Sequence, residues 1–129
     1  ELVSIHVRLG DYVNLQDYHT VQSSEYYTKA IEHFIDKQYG FVVFSDDIET
    51  CKKIFPPSFY FSESNKDYVD LYLMSNCSHN IIANSTFSWW AAWLNSNENK
   101  KIIAPKNWFG PAYSYNITKD LYCKDWIIK

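Results

Sequence analysis

The stretch His79-Asn80-Ile81-Ile82-Ala83-Asn84-Ser85-Thr86-Phe87-Ser88-Trp89-Trp90-Ala91-Ala92-Trp93-Leu94 reads as a strand, a polar turn and an apolar-faced helix in succession. Asn80 to Ala83 are predicted extended, because a short apolar run opened by His79 suits a strand covered on both faces. Phe87, Trp90, Ala91 and Leu94 then recur at i, i+3, i+4 and i+7, and Trp89 and Trp93 widen the stripe. The tryptophans are accordingly expected in the core. Between the two elements come small hydroxyl side chains, at the place where a helix start leaves its first amides unpaired.

The same rhythm continues outward in both directions. Leu2 to Val7, Phe41 to Phe44, Phe59 to Phe61 and Lys101 to Ala104 are further candidate strands, rich in Val, Ile and Phe. Tyr27, Ala30, Ile31 and Phe34 mark one face of a helix, with Ser23 or Ser24 as its cap and Gly40 closing the unit. A short helix is predicted from Asp47 to Ile54, stopping before Pro56-Pro57. Tyr68, Val69, Leu71, Tyr72 and Leu73 cover most sides of a third helix, which should be well buried. Strand–helix alternation at this interval implies an α/β fold, a Rossmann-like parallel sheet with helices on both faces. After Pro105 the pattern fades, and the aromatic tail receives no assignment.

Composition narrows the partners. A chain of 129 residues, 47% hydrophobic and 19% aromatic, fits one domain with an ample core. A net charge of −3 supplies no broad basic surface, so nucleic acid is not an expected partner. Cys51, Cys77 and Cys123 are too few and too scattered for a disulfide framework or a zinc site, and are read as reduced thiols in a cytoplasmic setting, although two of them could pair. The chain opens on the apolar run Leu2-Val3-Ser4-Ile5 without an initiator Met, which suggests a fragment of something longer.

In parallel sheets ligands bind beyond the carboxyl ends of the strands, and three polar clusters fall there. The first is His6-Val7-Arg8-Leu9-Gly10-Asp11-Tyr12. His6 and Arg8 are two apart and can share a face. The planar fork of Arg8 suits two oxygens of a diphosphate, Gly10 permits a close turn, and Asp11 is placed to orient Arg8. The same residues would also make a surface Arg–Asp pair beside a structural histidine. The second cluster is Phe44-Ser45-Asp46-Asp47, where one carboxylate is expected to cap the following helix and the other to meet a ligand such as guanine, whose N1 and N2 hydrogens face one acceptor. Adjacent Asp residues point oppositely and no further ligands are evident, so no metal is expected. The third is Asn84 to Trp90, a helix mouth suited to phosphate in which Ser85, Thr86 and Ser88 add donors. Simple capping would account for one of those hydroxyls. His33 and His79 are read as structural; His19 lies in a loop from which it could approach a ligand.

Taken together the clusters resemble a known family. His6-Val7-Arg8-Leu9-Gly10-Asp11-Tyr12 is similar to the H-x-R-x-G-D-Y motif of glycosyltransferase family 11, the α-1,2-fucosyltransferases. Phe44-Ser45-Asp46-Asp47 looks like its second block, and Asn84 to Leu94 resembles its third. The resemblance implies a GT-B enzyme of which this chain is the C-terminal, donor-binding half. The implied reaction is inverting transfer of L-fucose from GDP-fucose, the donor substrate, to the 2-OH of a galactose-containing glycan acceptor, with no cofactor and no metal. It further implies that Arg8 contacts the diphosphate and stabilises its departure, that His6 and Gly10 line the same site, that Asp46 reads guanine, and that Ser85, Thr86, Phe87 and Ser88 surround the nucleotide. Asp11 is the one candidate base within the chain.

The family's earlier glycine-rich G-N-Q-type segment has no match here. The missing N-terminal half is therefore an expected partner, and the isolated chain is expected to be inactive. Two other readings remain: a nucleotide-binding or interaction module without transfer activity, and a fucosyltransferase of 1,6- or O-linked specificity. The Trp-Trp-Ala-Ala-Trp run argues for the α-1,2 group. The Lys, Asn and Ile usage suggests a bacterial source, and the protein is expected in the cytoplasm, peripheral to the inner membrane.

Overall fold

Strand β1 (Leu2–Val7) is the centre of the molecule, a computed structural model that describes residues 1–129. It is followed by a 3-10 turn (Gly10–Asn14), α1 (Ser24–Ile31) with a 3-10 extension (Glu32–Phe34), β2 (Gly40–Ser45), α2 (Ile48–Ile54) and β3 (Tyr60–Phe61). The second half contributes α3 (Asp67–Ser75), β4 (His79–Ile81), α4 (Thr86–Leu94), β5 (Ile102–Ala104), a 3-10 turn (Pro111–Tyr113) and β6 (Ile127–Ile128). All six strands are parallel, in the order β3-β2-β1-β4-β5-β6. That is the Rossmann order, whose direction reverses between β1 and β4, so a crevice opens there at the carboxyl edge.

The period of two along β1 divides the core. Val3, Ile5 and Val7 join Val43, Ile81 and Ile103 against Tyr26, Tyr27, Ala30 and Phe34 of the α1 unit and Cys51 and Phe55 of the α2 unit. On the opposite face Val42 and Phe44 pack on Leu71 and Met74 of α3 and on Phe87 and Ala91 of α4. Burial is deep: Ile5, Val43, Ile81 and Ala30 expose nothing, and each large aliphatic side chain so buried contributes about 1.5–3 kcal/mol.

The capping chemistry follows the sequence. Ser23 accepts the Tyr26 amide at the start of α1, at 3.2 Å. Asp47 caps α2, accepting the Thr50 amide at 3.1 Å and its hydroxyl at 2.7 Å. Gly40, expected to close the α1 unit, instead opens β2; the 3-10 turn at Glu32–Phe34 ends the helix first.

Polar side chains sit inside on the α3/α4 face. Asn80 donates to Ser4 Oγ at 2.6 Å and to the Met74 carbonyl at 2.7 Å. Asn95, just beyond α4, donates to Asn80 Oδ1 at 2.7 Å and to the Cys77 carbonyl at 2.8 Å. This amide chain joins β1, β4 and the ends of both helices, and satisfies groups that burial would otherwise penalise.

Two expectations fail here. The helix α3 is not well buried: Met74 is its only buried residue, while Tyr68, Tyr72 and Leu73 are exposed. Nor are the α4 tryptophans core residues, since Trp90 and Trp93 are exposed and Trp89 is half-buried. The sheet covers only one side of each helix, and both are apolar on more sides than it reaches. The unassigned tail explains Trp89. Its indole donates to the Leu121 carbonyl at 2.8 Å and packs on Trp126, and Trp108, Tyr122 and Trp126 close a cluster over Ile82, Ala92 and Ile102.

Candidate functional site

Register brings the first two polar clusters together. Val7 of β1 lies opposite Ser45 of β2, so the next residues, Arg8 and Asp46, leave the sheet side by side. Asp46 Oδ1 accepts the Leu9 amide at 2.9 Å, and Oδ2 lies 3.6 Å from Arg8 Nη1. Arg8 Nη2 is 2.6 Å from Asp11 Oδ1, and the guanidinium lies over the Tyr12 ring, 5.0 Å from its centroid. Tyr12 in turn stacks on His19 at 4.6 Å and donates to the Asn84 carbonyl at 3.3 Å. Arg8 is thus aimed by two carboxylates and an aromatic face. His19 belongs to the layer behind Tyr12.

Gly10 is fixed by proximity to this arrangement. A methyl group there would lie 3.1 Å from Asp46 Cγ and overlap Oδ2 outright. An alanine there would force the Asp46 carboxylate to move.

A cleft of about 550 Å³ opens at this edge. One wall is formed by His6, Arg8, Phe44, Ser45 and Asp46 with Phe87 of α4. His6 and Phe87 pack with ring centroids 5.4 Å apart, so the end of β1 and the first turn of α4 face the same space. His6 is buried, and its Nδ1 has no hydrogen-bond partner. Burial, and secondarily the Arg8 charge, push its pKa down to about 3, so the imidazole is neutral at any working pH.

The opposite wall was not anticipated: Ser64, Asn65 and Lys66 from the loop after β3, and Asp67 and Asp70 from α3. Asp70 Oδ1 accepts the Ser62 hydroxyl at 2.7 Å, which leaves Oδ2 without a protein partner. Burial raises the Asp70 pKa, partly offset by that hydrogen bond. A polar loop following a strand was a visible signal, by the rule that singled out the other clusters. What hid it was the length of β3, two residues, and the apolar character of α3 around those aspartates.

The third cluster is brought in only partly. Phe87 lines the cleft, whereas Ser85, Thr86 and Ser88 do not. Ser88 is fully buried and donates to the carbonyls of Ala83 and Ser85, at 3.2 and 3.3 Å. Ser85 occupies the cap position of α4 with no side-chain capping bond, and Thr86 points to solvent. The expected hydroxyl donors therefore reduce to the helix mouth itself: Ser88 is engaged inside the turn because its position faces the sheet. Asn84 ties neighbouring loops, donating to the carbonyls of Thr20 and Trp108 at 2.8 and 2.9 Å. His79 is structural as expected, buried with Nδ1 accepting the Lys101 amide at 2.9 Å.

The cleft is lined by two cations, Arg8 and Lys66, by the neutral His6 and the Phe87 ring, and by the carboxylates of Asp46, Asp67 and Asp70. The model of glycosyl transferase family 11 matches residues 1–129. O-antigen biosynthesis glycosyltransferase WbnK of Escherichia coli is 40% identical over 127 residues, covering 91% of this chain and 42% of that protein. An alpha-1,2-colitosyltransferase of Escherichia coli is 44% identical over 118 residues, covering 83% of this chain and 41% of its own. Human galactoside alpha-(1,2)-fucosyltransferase 1 is 31% identical over 103 residues, 71% of this chain and 28% of that protein. The chain spans about two fifths of the length of the two bacterial relatives. On the match along its whole length, and on motifs that the fold gathers at one edge of a Rossmann-like sheet, the chain belongs to glycosyltransferase family 11.

Proposed function

We propose that this chain is the donor-binding part of an inverting glycosyltransferase that takes fucose from GDP-fucose and delivers it to the 2-OH of a galactose-containing acceptor. The observation that carries the reading is that Arg8 and Phe87, from the first turn of α4, line one cleft, with His6 packed on the Phe87 ring. As the sugar–phosphate bond breaks, negative charge grows on the diphosphate. Arg8 and the positive end of α4 would stabilise it where it develops, and losing such a donor typically costs about 3–4 kcal/mol. The sugar carbon carries oxocarbenium-like charge meanwhile. Neutral His6 adds no competing charge and lends its ring, with Phe87, as an apolar surface. In this reading Arg8 supplies the cation at the diphosphate and no metal is invoked.

The role of Asp46 is refined by its contacts. Both its oxygens face the β1 end, so it holds Arg8 and Leu9 in place. The free oxygen of Asp70 is the better acceptor for the guanine N1 and N2 hydrogens. Asp11 is committed to Arg8, so the base that takes the acceptor proton is assigned to polypeptide beyond the region covered here, along with the acceptor site. No helix is long and apolar enough to cross a membrane, and the proposed setting is the cytoplasm, where the chain would meet the membrane peripherally. The colitosyltransferase relative supports a second reading, in which the same site carries a colitosyl donor.

Calorimetry with GDP and ADP tests the proposal. GDP should bind and ADP bind more weakly. Arg8→Ala, folded by circular dichroism, should bind GDP at least about 100-fold more weakly, since charge-assisted hydrogen bonds contribute about 1.5–3 kcal/mol each. Asp70→Asn should narrow the preference for GDP over ADP. Undiminished affinity in Arg8→Ala would remove Arg8 from the site, and equal binding of the two nucleotides by the wild type would refute guanine selection.

A further inference from the structure

The loop that carries Asp11 and Tyr12 cannot hold itself. No residue from Gly10 to Thr20 is buried, and the only regular element there is one 3-10 turn. A surface segment with so little buried contact opens at low cost. Yet this loop supplies the ring beneath the Arg8 guanidinium, Tyr12, and the ring that stacks on it, His19. What meets the loop is the stretch Trp108-Phe109-Gly110-Pro111 and the residues just after it, part of the tail to which the sequence pattern gave no role.

Two backbone bonds make the contact. The Gly110 amide donates to the Tyr18 carbonyl at 2.8 Å, and the Ala112 amide to the Asp17 carbonyl at 2.6 Å. Tyr113 packs edge-on to His19 at 6.1 Å and tilted on Tyr18 at 5.1 Å. Asn84 closes the circuit: its side chain donates to the carbonyls of Thr20 and Trp108, and its own carbonyl accepts the Tyr12 hydroxyl. Trp108 anchors the far end, buried with Ile82 and Ala104. Gly110 has a φ of −72°, open to any residue, so what its missing side chain provides is space. A Cβ there would lie 2.6 Å from the Asp17 carbonyl carbon and oxygen, and would overlap the Gln16 carbonyl outright. Those atoms are all backbone, so no side chain can rotate aside.

The geometry points to Trp108, Gly110 and Tyr113 as positioning residues, a strap that aims Arg8 from outside the cleft. None of the three lines the cleft, so the strap acts through His19 and Tyr12. Asp11 and Asp46 meet the guanidinium at its Nη2 and Nη1 atoms, at 2.6 and 3.6 Å, and contacts at the edge leave the plane free to tilt. The Tyr12 ring supports the plane from its face, and that ring is seated on His19 and, through it, on Tyr113. A fork that must present two parallel donors to an oxyanion needs its plane held. The benefit to a diphosphate rests on the donor reading; the holding of Arg8 by the strap does not.

Arg8 is the only arginine in the chain, so its Nε–H gives a single guanidinium signal in a nitrogen NMR spectrum. Gly110→Ala should shift that signal and quicken rotation of the guanidinium about 3-fold or more, the scale of a lost cation–aromatic contact. The side-chain amide of Asn80, buried on the α3/α4 face, should keep its position. Tyr113→Leu leaves the backbone bonds in place and should act in the same direction, which keeps the test open if Gly110→Ala does not fold. Calorimetry should show GDP binding about 10-fold weaker in Gly110→Ala, less than for Arg8→Ala because the guanidinium is displaced and not removed. In the Arg8→Ala background Gly110→Ala should add no further loss. An Arg8 signal that neither variant moves overturns the inference. So does an Asn80 signal that moves together with it, which would mean general loosening, and so does an equal loss of GDP affinity in both backgrounds. A wild type that fails to bind GDP counts against the donor reading, and the Arg8 signal then decides on the strap alone.

Discussion

Replacing Gly10 with Ala tests the geometry around Arg8 more sharply than removing the arginine. The new methyl would lie 3.1 Å from Asp46 Cγ and overlap Oδ2, so the carboxylate must swing away. Swinging breaks the 2.9 Å bond from the Leu9 amide, and the 3.6 Å approach to Arg8 goes with it. A partly buried amide left unpaired costs about 1–3 kcal/mol. The ion pair, a third exposed on either side, adds at most about 1 kcal/mol. Against this, no glycine in the chain has positive φ, so Ala at residue 10 keeps an accessible backbone and gains about 0.4–1 kcal/mol by restricting the unfolded state. The expected net effect is a loss of about 1–2 kcal/mol, or roughly 3–8 °C in Tm for a domain this size. GDP affinity should fall as well, because Arg8 loses one of its two carboxylate guides. Thermal unfolding and calorimetry read the two effects. A double-mutant cycle identifies the cause: with Asp46→Ala in place the clash has no partner, and Gly10→Ala should become neutral or stabilising. If Gly10→Ala is equally destabilising in both backgrounds, or if it raises Tm and leaves GDP affinity intact, the claim that Asp46 constrains this loop is wrong.

His6 should make the fold acid-sensitive. Its folded pKa is depressed, so below the ordinary histidine value the unfolded chain binds the proton and the folded chain does not. That contribution is fully present above pH 6.5, is lost as pH falls towards about 3, and has a limiting slope of about 1.4 kcal/mol per pH unit. Urea unfolding at a series of pH values should show His6→Gln with a flatter acid limb than wild type; identical slopes would refute a neutral buried imidazole. Asn80→Leu keeps the volume but leaves Ser4, the Met74 carbonyl and Asn95 short of partners, and should cost about 3 kcal/mol in urea unfolding. A loss under about 1 kcal/mol would mean that water substitutes for the amide.

The strands and the caps were legible because their causes are local. Ser23 and Asp47 cap their helices through bonds spanning three residues, and β1 alternates its faces with the period of the backbone itself. The motifs at strand ends were legible for the same reason. Burial of α3 and α4 was not, since apolar residues state what a helix tolerates and not how many surfaces arrive to cover it; Tyr72 and Trp93 therefore look like core and lie outside.

The sequence alone determined the α/β alternation, the family motifs and the grouping of Arg8 with Gly10 and Asp11, all set within a few residues of chain. Only the tertiary structure decided that Asp46 braces Arg8, that Ser88 turns inward, and that Asp70 faces the cleft with a free oxygen. Those outcomes follow from strand register and from which side of each helix meets the sheet. Both are fixed by contacts between residues far apart in the chain, which no local pattern encodes.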